Sequence, residues 1–433
     1  MNKDLLSTLV NQLWKIVAGP LILLFIPLYL TPIEQGYWYT FTAIAALAIF
    51  ADLGFSTIIL QFAAHEFAFL QFGASRILCG DEKHLWRLAS FFRFSVRWLF
   101  RIILIVFPLI LVGGFCFLSM KQDAVDWQYA WVVYACASAV VFFNTSLICF
   151  FEGCNSVSLL QSVRFRIGVL QSGTLLLGLF FGLDLYALSA SLLSAAISGI
   201  ILLLYYFRRT ILQLWCLSSE RCYDWWPEFS SLIWRYAISW GSGYFIFQLF
   251  TPLAFYFHGA EFSGKIGLSI ALWTAGNNIA SSWITAITPR INILISERKW
   301  AELDKLFHKN ITYACLTMLV GGALYFVLYY ELHDKVIFFS RILEPTAMFM
   351  LYLSWSVQTW ISAVAVYLRA HKKEPLMFIS FLSAIYISVT TLLCAMFLSL
   401  EYLFLGFLSS CLGSAVVVYR IWIRQKKEHL NMV

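Results

Sequence analysis

Residues 184–209 read Asp184-LYALSASLLSAAISGIILLLYYF-Arg208-Arg209, and this stretch decides the fold. The run from Leu185 to Phe207 carries no charge, with an acid before it and two arginines after it. Wound at ~1.5 Å per residue, such a run crosses a ~30 Å hydrocarbon core as a helix. Lys and Arg collect on the cytoplasmic side of a membrane, so the two ends also say which way the helix crosses.

The same pattern recurs outward in both directions. The spacing predicts twelve spans, at roughly 9–30, 37–62, 98–119, 128–151, 167–183, 185–207, 230–257, 266–289, 311–330, 342–368, 376–399 and 402–422. Composition agrees: the chain is 61% hydrophobic and 12% charged, whereas a soluble domain carries about 25% charged residues. Threading the runs places every Lys and Arg on the side of the N-terminus except Lys121, Lys265, Lys335 and Arg341. The expected fold is therefore an all-α polytopic membrane protein, N-in and C-in, with about 12 transmembrane helices in two six-helix bundles. Met1–Ser7 lead directly into a full-length span, so no cleavable signal peptide is expected.

The connectors at about 63–97, 208–229 and 290–310 are basic and partly amphipathic, the pattern of helical links lying at the interface. Trp38, Trp127, Tyr129, Trp225, Trp226, Tyr329 and Tyr330 cluster near span ends, where interface aromatics gather. The 208–229 connector divides the chain into 1–207 and 230–433. Leu13-Trp14-Lys15 opens the first span and Ile233-Trp234-Arg235 the seventh, each followed by a Pro-Leu pair at Pro27 and Pro252. This echo points to two parallel six-span repeats.

Ionisable groups inside spans are costly and mark function by default. Asn11, Lys15 and Gly19 share one helix face, and Lys15 lies ~9 Å into its span. Lys15 is either a cavity residue or a positive anchor that snorkels to the interface. Arg235 holds the equivalent place in the second half. Together the two would receive an anionic head group from the cytoplasmic side, and Arg97 and Arg101 would extend that field or anchor the third span. Asp52 is the one acid placed within a span, either a proton carrier or a structural partner. Asn277, Ser281, Thr285 and Thr288 form a polar stripe on the eighth span, widened by Asn278 and Ser282, that lines a wet cavity or bonds neighbouring helices. Pro20, Pro27, Pro108, Pro252 and Pro345 would bend their helices. No catalytic motif, metal-ligand spacing or cofactor motif is present in the sequence, and nothing suggests a nucleic-acid partner.

The stretches Leu13-Trp14-Lys15, Gly19-Pro20, Ile26-Pro27-Leu28-Tyr29-Leu30 and Glu34-Gln35-Gly36-Tyr37-Trp38 resemble bacterial polysaccharide-exporter flippases, and Asp52-Leu53-Gly54-Phe55-Ser56 with Gln61-Phe62 continues the likeness. These are the Wzx-like members of the multidrug/oligosaccharidyl-lipid/polysaccharide superfamily. The resemblance implies two six-helix bundles around a basic cavity in the bacterial inner membrane. It implies transfer of an undecaprenyl-pyrophosphate-linked oligosaccharide, such as an O-antigen unit, to the outer leaflet. Membrane lipids, a polysaccharide polymerase and a chain-length regulator would be its partners. Lipid-II flippases of the superfamily carry an adjacent basic–acidic pair in the first helix, and Lys15 has no acidic neighbour. The alternatives are a cation-coupled small-molecule exporter and, more remotely, a membrane-embedded enzyme of polysaccharide assembly.

Overall fold

The computed structural model describes residues 3–73, 76–121, 123–217, 223–371, 376–398 and 400–430; the side chains of 3–9, 13, 15, 228–236, 239, 400 and 427–430 are outside the description. The chain is helical almost throughout. The first span is α1 (Lys3–Tyr29). The second is broken into α2 (Pro32–Ala45), a 3-10 turn, α3 (Ile49–Asp52) and α4 (Phe55–Phe67). A small antiparallel hairpin follows, β1 (Leu70–Phe72) and β2 (Leu78–Gly80), with Gln71 opposite Cys79. Then come α5 (Glu82–Leu118), α6 (Gln128–Gly153), α7 (Val157–Phe180) and α8 (Asp184–Leu217). The second half has α9 (Trp226–Phe247), α10 (Phe250–His258), α11 (Ala260–Ser296), α12 (Trp300–Leu332) and the one-turn α13 (Ile337–Ser340). It ends with α14 (Pro345–Ala370), α15 (Met377–Phe397) and α16 (Leu405–Leu430).

Among the described residues nine helices are long and apolar enough to cross a membrane, and the pair Pro32–Asp52 and Phe55–Phe67, bent by 43°, makes a tenth. The two remaining predicted spans fall on α9–α10 and on α11. The former is interrupted at 248–249, where Pro252 withholds the N–H that the Gln248 carbonyl would accept. The latter is 37 residues long but polar along its middle. Two corrections concern the prolines and connectors. Pro345 bends nothing, because it occupies the first turn of α14, where no N–H is needed. The connectors are mostly extensions of long helices instead of separate interfacial links: α5 has 37 residues, α8 runs on to Leu217, and α11 and α12 are parted only by 297–299. Continuing a helix keeps its backbone groups paired, which a separate link would have to satisfy anew. Among the described residues the hairpin is the one departure from an all-α chain. Gln213 on α8 holds it, donating to Leu78 O and accepting from Leu78 N, both at 2.8 Å.

Contacts group the chain into one unit of residues 1–18 and 41–241 and a second of 19–40 and 242–433. The segment Gly19–Thr40 thus belongs with the later helices, a connection that the six-and-six reading did not contain. In the first unit the core gathers Phe55, Phe91, Phe92, Phe150, Phe151 and Phe207. Trp225 joins them at 1% exposure, its ring 4.9 Å from Phe91 and 5.9 Å from Phe62. The interface aromatics therefore divide: Tyr129, Trp226 and Tyr330 are exposed, but Trp38, Trp127 and Trp225 are core. Their proximity to span ends in sequence did not distinguish packing inward from facing the lipid. In the second unit Ile291, Leu303, Phe307, Val364, Tyr367 and Trp422 form the corresponding core.

Candidate functional site

The second span breaks because Leu53 and Gly54 both take left-handed backbone angles, φ 43° and 78°. Glycine adopts this freely, and leucine pays for it. The restart of α4 leaves N–H groups without intrahelical acceptors. Asp52 supplies one: its Oδ1 accepts from Ser56 N at 3.1 Å and from Ser56 Oγ at 2.5 Å. Ser56 Oγ lies 3.5 Å from Ser146 Oγ on α6.

Nearly two turns further along α6, about 9 Å, stands Glu152, one residue beyond the predicted 128–151 span. It belongs to the helix instead, with its side chain 10% exposed. Arg164 of α7 donates to its Oε2 at 2.8 Å, and Gln161 donates to its Oε1 at 3.4 Å. Gln161 Oε1 in turn accepts from Asn11 Nδ2 at 2.9 Å, and Asn11 is buried at 2% exposure. This chain, Asn11–Gln161–Glu152–Arg164, links α1, α6 and α7. In a medium of low dielectric a pair such as Glu152 and Arg164 survives only when each partner is bonded, as these are.

Of the expected residues, the structure brings Asn11 into this network, while the Asp52 carboxylate accepts from Ser56 at the start of α4. Lys15 and Arg235 lie on α1 and α9, and their side chains are outside the described residues. Arg101 is exposed on α5. Asn277 sits in the second unit, where its Oδ1 accepts from Thr359 Oγ1 at 2.8 Å and from Ser281 Oγ at 3.5 Å. The rest of its stripe looks to its own helix: Ser282, Thr285 and Thr288 donate to Ile279, Ser281 and Ile284 carbonyls. Asn144 is structural, donating to Ala196 O at 2.8 Å across a close approach to Gly199. No cluster of three His, Cys, Asp or Glu able to hold a metal ion occurs among the described residues.

Sequence reasoning missed Glu152, Gln161 and Arg164. The sequence held one signal, Gly153 and Asn155 between Glu152 and Arg164; in the structure Asn155, with φ of 53°, turns α6 into α7. An acid and a base placed either side of a tight helical turn are geometrically able to meet.

No family model and no curated protein matches the sequence. Solved structures do match. An outward-facing multidrug resistance MATE family transporter of the MOP superfamily superposes with TM-score 0.61 at 14% identity, covering 100% of this chain and 98% of that one. An inward-facing transporter of the same description gives 0.58 at 12% identity, over 95% and 99%. A MATE structure in a bent conformation gives 0.60 at 13%, over 98% and 94%. At these identities the likeness concerns fold: this multi-pass helical chain has the fold of the MATE transporters.

Proposed function

We propose that this chain carries a polyprenyl-pyrophosphate-linked oligosaccharide from the cytoplasmic to the outer leaflet of a bacterial inner membrane by alternating access. The observation that carries the reading is the Asn11–Gln161–Glu152–Arg164 network. Export of cationic drugs calls for an unpaired carboxylate within the spans. Here Glu152 is bonded to Arg164 and Gln161, and Asp52 accepts from Ser56. The same network holds amides and a guanidinium, groups that hydrogen-bond sugar hydroxyls and phosphate oxygens and that a substrate would engage by exchanging with their present partners. Lys15, Arg235 and Arg101 would supply the field for the pyrophosphate, and Asn277 would meet the sugar. The likeness of residues 13–62 to polysaccharide-exporter flippases supports the same substrate class.

The second reading is a cation-coupled small-molecule exporter, favoured by the multidrug transporters among the similar structures. Reconstitution in vesicles separates the two. A fluorescent lipid-linked oligosaccharide that becomes accessible on the opposite leaflet with its bonds intact supports the flippase. Cation-driven efflux of a dye with no lipid transfer establishes the exporter, and covalent extension of the sugar would establish an enzyme.

A further inference from the structure

Helices α12, α14 and α16 of the second unit leave a cavity of about 560 Å³ between them, lined by Cys315, Met318, Leu319, Tyr352, Val416 and Tyr419 among others. That volume falls within the roughly 300–1,000 Å³ of pockets that hold a small ligand. Its walls are almost wholly apolar and its outer edge is open, since Leu319, Val416 and Tyr419 are each more than half exposed.

The end of this groove toward the predicted cytoplasmic face has a different character. There α12 and α16 close on one another. Lys426 Nζ lies 2.7 Å from His308 Nε2 and 3.2 Å from Asp304 Oδ2, and 4.7 Å over the Trp422 ring. Trp360, Tyr419 and Trp422 form an aromatic triad with ring centroids 6.2–6.5 Å apart. This triad stands between the apolar cavity and the lysine. Trp422 is 5% exposed, and its indole N–H has no acceptor among the described residues. Helical spacing sets Arg420 one turn below Val416, and Lys305 two heptads below Leu319, about 21 Å along α12. Both are exposed. The order along the groove is therefore apolar wall, then an aromatic collar with Arg420 at its level, then Lys305 farther toward the predicted cytoplasmic face.

We infer that this groove is a binding site for a single anionic phospholipid of the cytoplasmic leaflet, with an acyl chain in the cavity and its phosphate at the rim. Charge complementarity selects the occupant. A zwitterionic lipid brings a cation beside its phosphate that opposes Arg420 and Lys305, whereas an anionic phospholipid presents its phosphate without one. The site lies on the second unit, apart from the Asn11–Arg164 network, and does not depend on the proposed substrate.

The test is native mass spectrometry of the full chain released from micelles supplied with phosphatidylglycerol, phosphatidylcholine or polyprenyl phosphate. Wild type should retain one phosphatidylglycerol at least tenfold in preference to phosphatidylcholine. Arg420→Gln with Lys305→Gln, both on the surface and harmless to packing, should erase that preference. Ala415→Phe, which fills the cavity, should abolish retention of either lipid, with a melting curve showing that the variant is folded. Equal retention of the two phospholipids by wild type overturns the inference, as does a preference that survives the double charge variant. Displacement of phosphatidylglycerol by equimolar polyprenyl phosphate would overturn it too, because the groove would then belong to a different lipid.

Discussion

Gly36 of α2 crosses Ala260 of α11 so closely that a Cβ on Gly36 would fall within the Ala260 backbone. Gly264, one turn on, is confined less tightly: a Cβ there would lie 2.9 Å from Gly36 N and 3.2 Å from Gln35 C. Around this crossing Gln35 Nε2 donates to Gly264 O at 2.8 Å and to Arg341 O at 3.1 Å, Thr40 Oγ1 meets Ser263 Oγ at 2.9 Å, and Arg341 donates to Leu30 O at 3.0 Å. Small residues permit backbones to approach in a membrane, where packing replaces the hydrophobic effect as the force between helices. Burial in this cluster also lowers the pKa of Arg341, and the charges of Glu261 and Glu34 act in the opposite sense.

Replacing Gly36 with Val should separate the helices. Overpacking costs about 1–3 kcal/mol, so the variant should melt several degrees below wild type in detergent. Gly113, with nothing near its Cβ position, is the control: Gly113→Ala should leave the melting curve in place. Equal melting temperatures for Gly36→Val and wild type would show that the crossing is looser than described.

Glu152→Gln should leave Arg164 without its counter-charge. Breaking a buried pair costs about 3–5 kcal/mol, and the lower end applies because Arg164 is 31% exposed. The double variant Glu152→Gln with Arg164→Gln should recover much of the loss. Melting temperature reads stability and leaflet transfer reads function. If the single variant matches the double in both, the two residues do not act as a pair.

Asp52 can be separated into two roles. As the group receiving Ser56 N–H, it is worth about 1 kcal/mol of local helix stability, and Asp52→Asn, whose side-chain oxygen can still accept, should preserve most of it. As a proton carrier, the same change should abolish dependence of transport on a pH gradient. Transport that keeps its full pH dependence in Asp52→Asn leaves only the capping role.

Lys15→Ala and Arg235→Ala should each reduce lipid-linked oligosaccharide transfer without loss of protein from the membrane. Wild-type transfer in the double variant would remove both from the substrate path.

Trp225→Ala should cost about 3–5 kcal/mol, because its ring fills the junction of Phe62, Phe91 and Arg87. A loss under 1 kcal/mol in chemical denaturation would mean that the site collapses around the gap.

What could be read from the sequence was whatever a local pattern records. Runs such as Leu185–Phe207 had to become helices because a backbone in lipid must satisfy itself. The left-handed step at Leu53-Gly54 was visible only as a glycine. The polar network escaped because Asn11 and Gln161 are 150 residues apart, and no local periodicity carries such a pairing. Glu152 was misplaced for the converse reason: an acid at the edge of an apolar run reads as loop, although its partner twelve residues on lets it remain in the helix. The core tryptophans were misjudged because amphipathic rings suit an interface and a packed junction alike.

The crossing at Gly36 also bears on how the chain is made. Gln35 leaves the ribosome 229 residues before Gly264 and 306 before Arg341. At roughly 5–20 residues per second, its carboxamide waits on the order of half a minute for its partners. During that interval α2 has neither the Gly264 and Arg341 carbonyls nor the Ala260 backbone against it. The seam at Gly36 is therefore one of the last contacts the growing chain can close, and a chain ending before Arg341 would lack part of it.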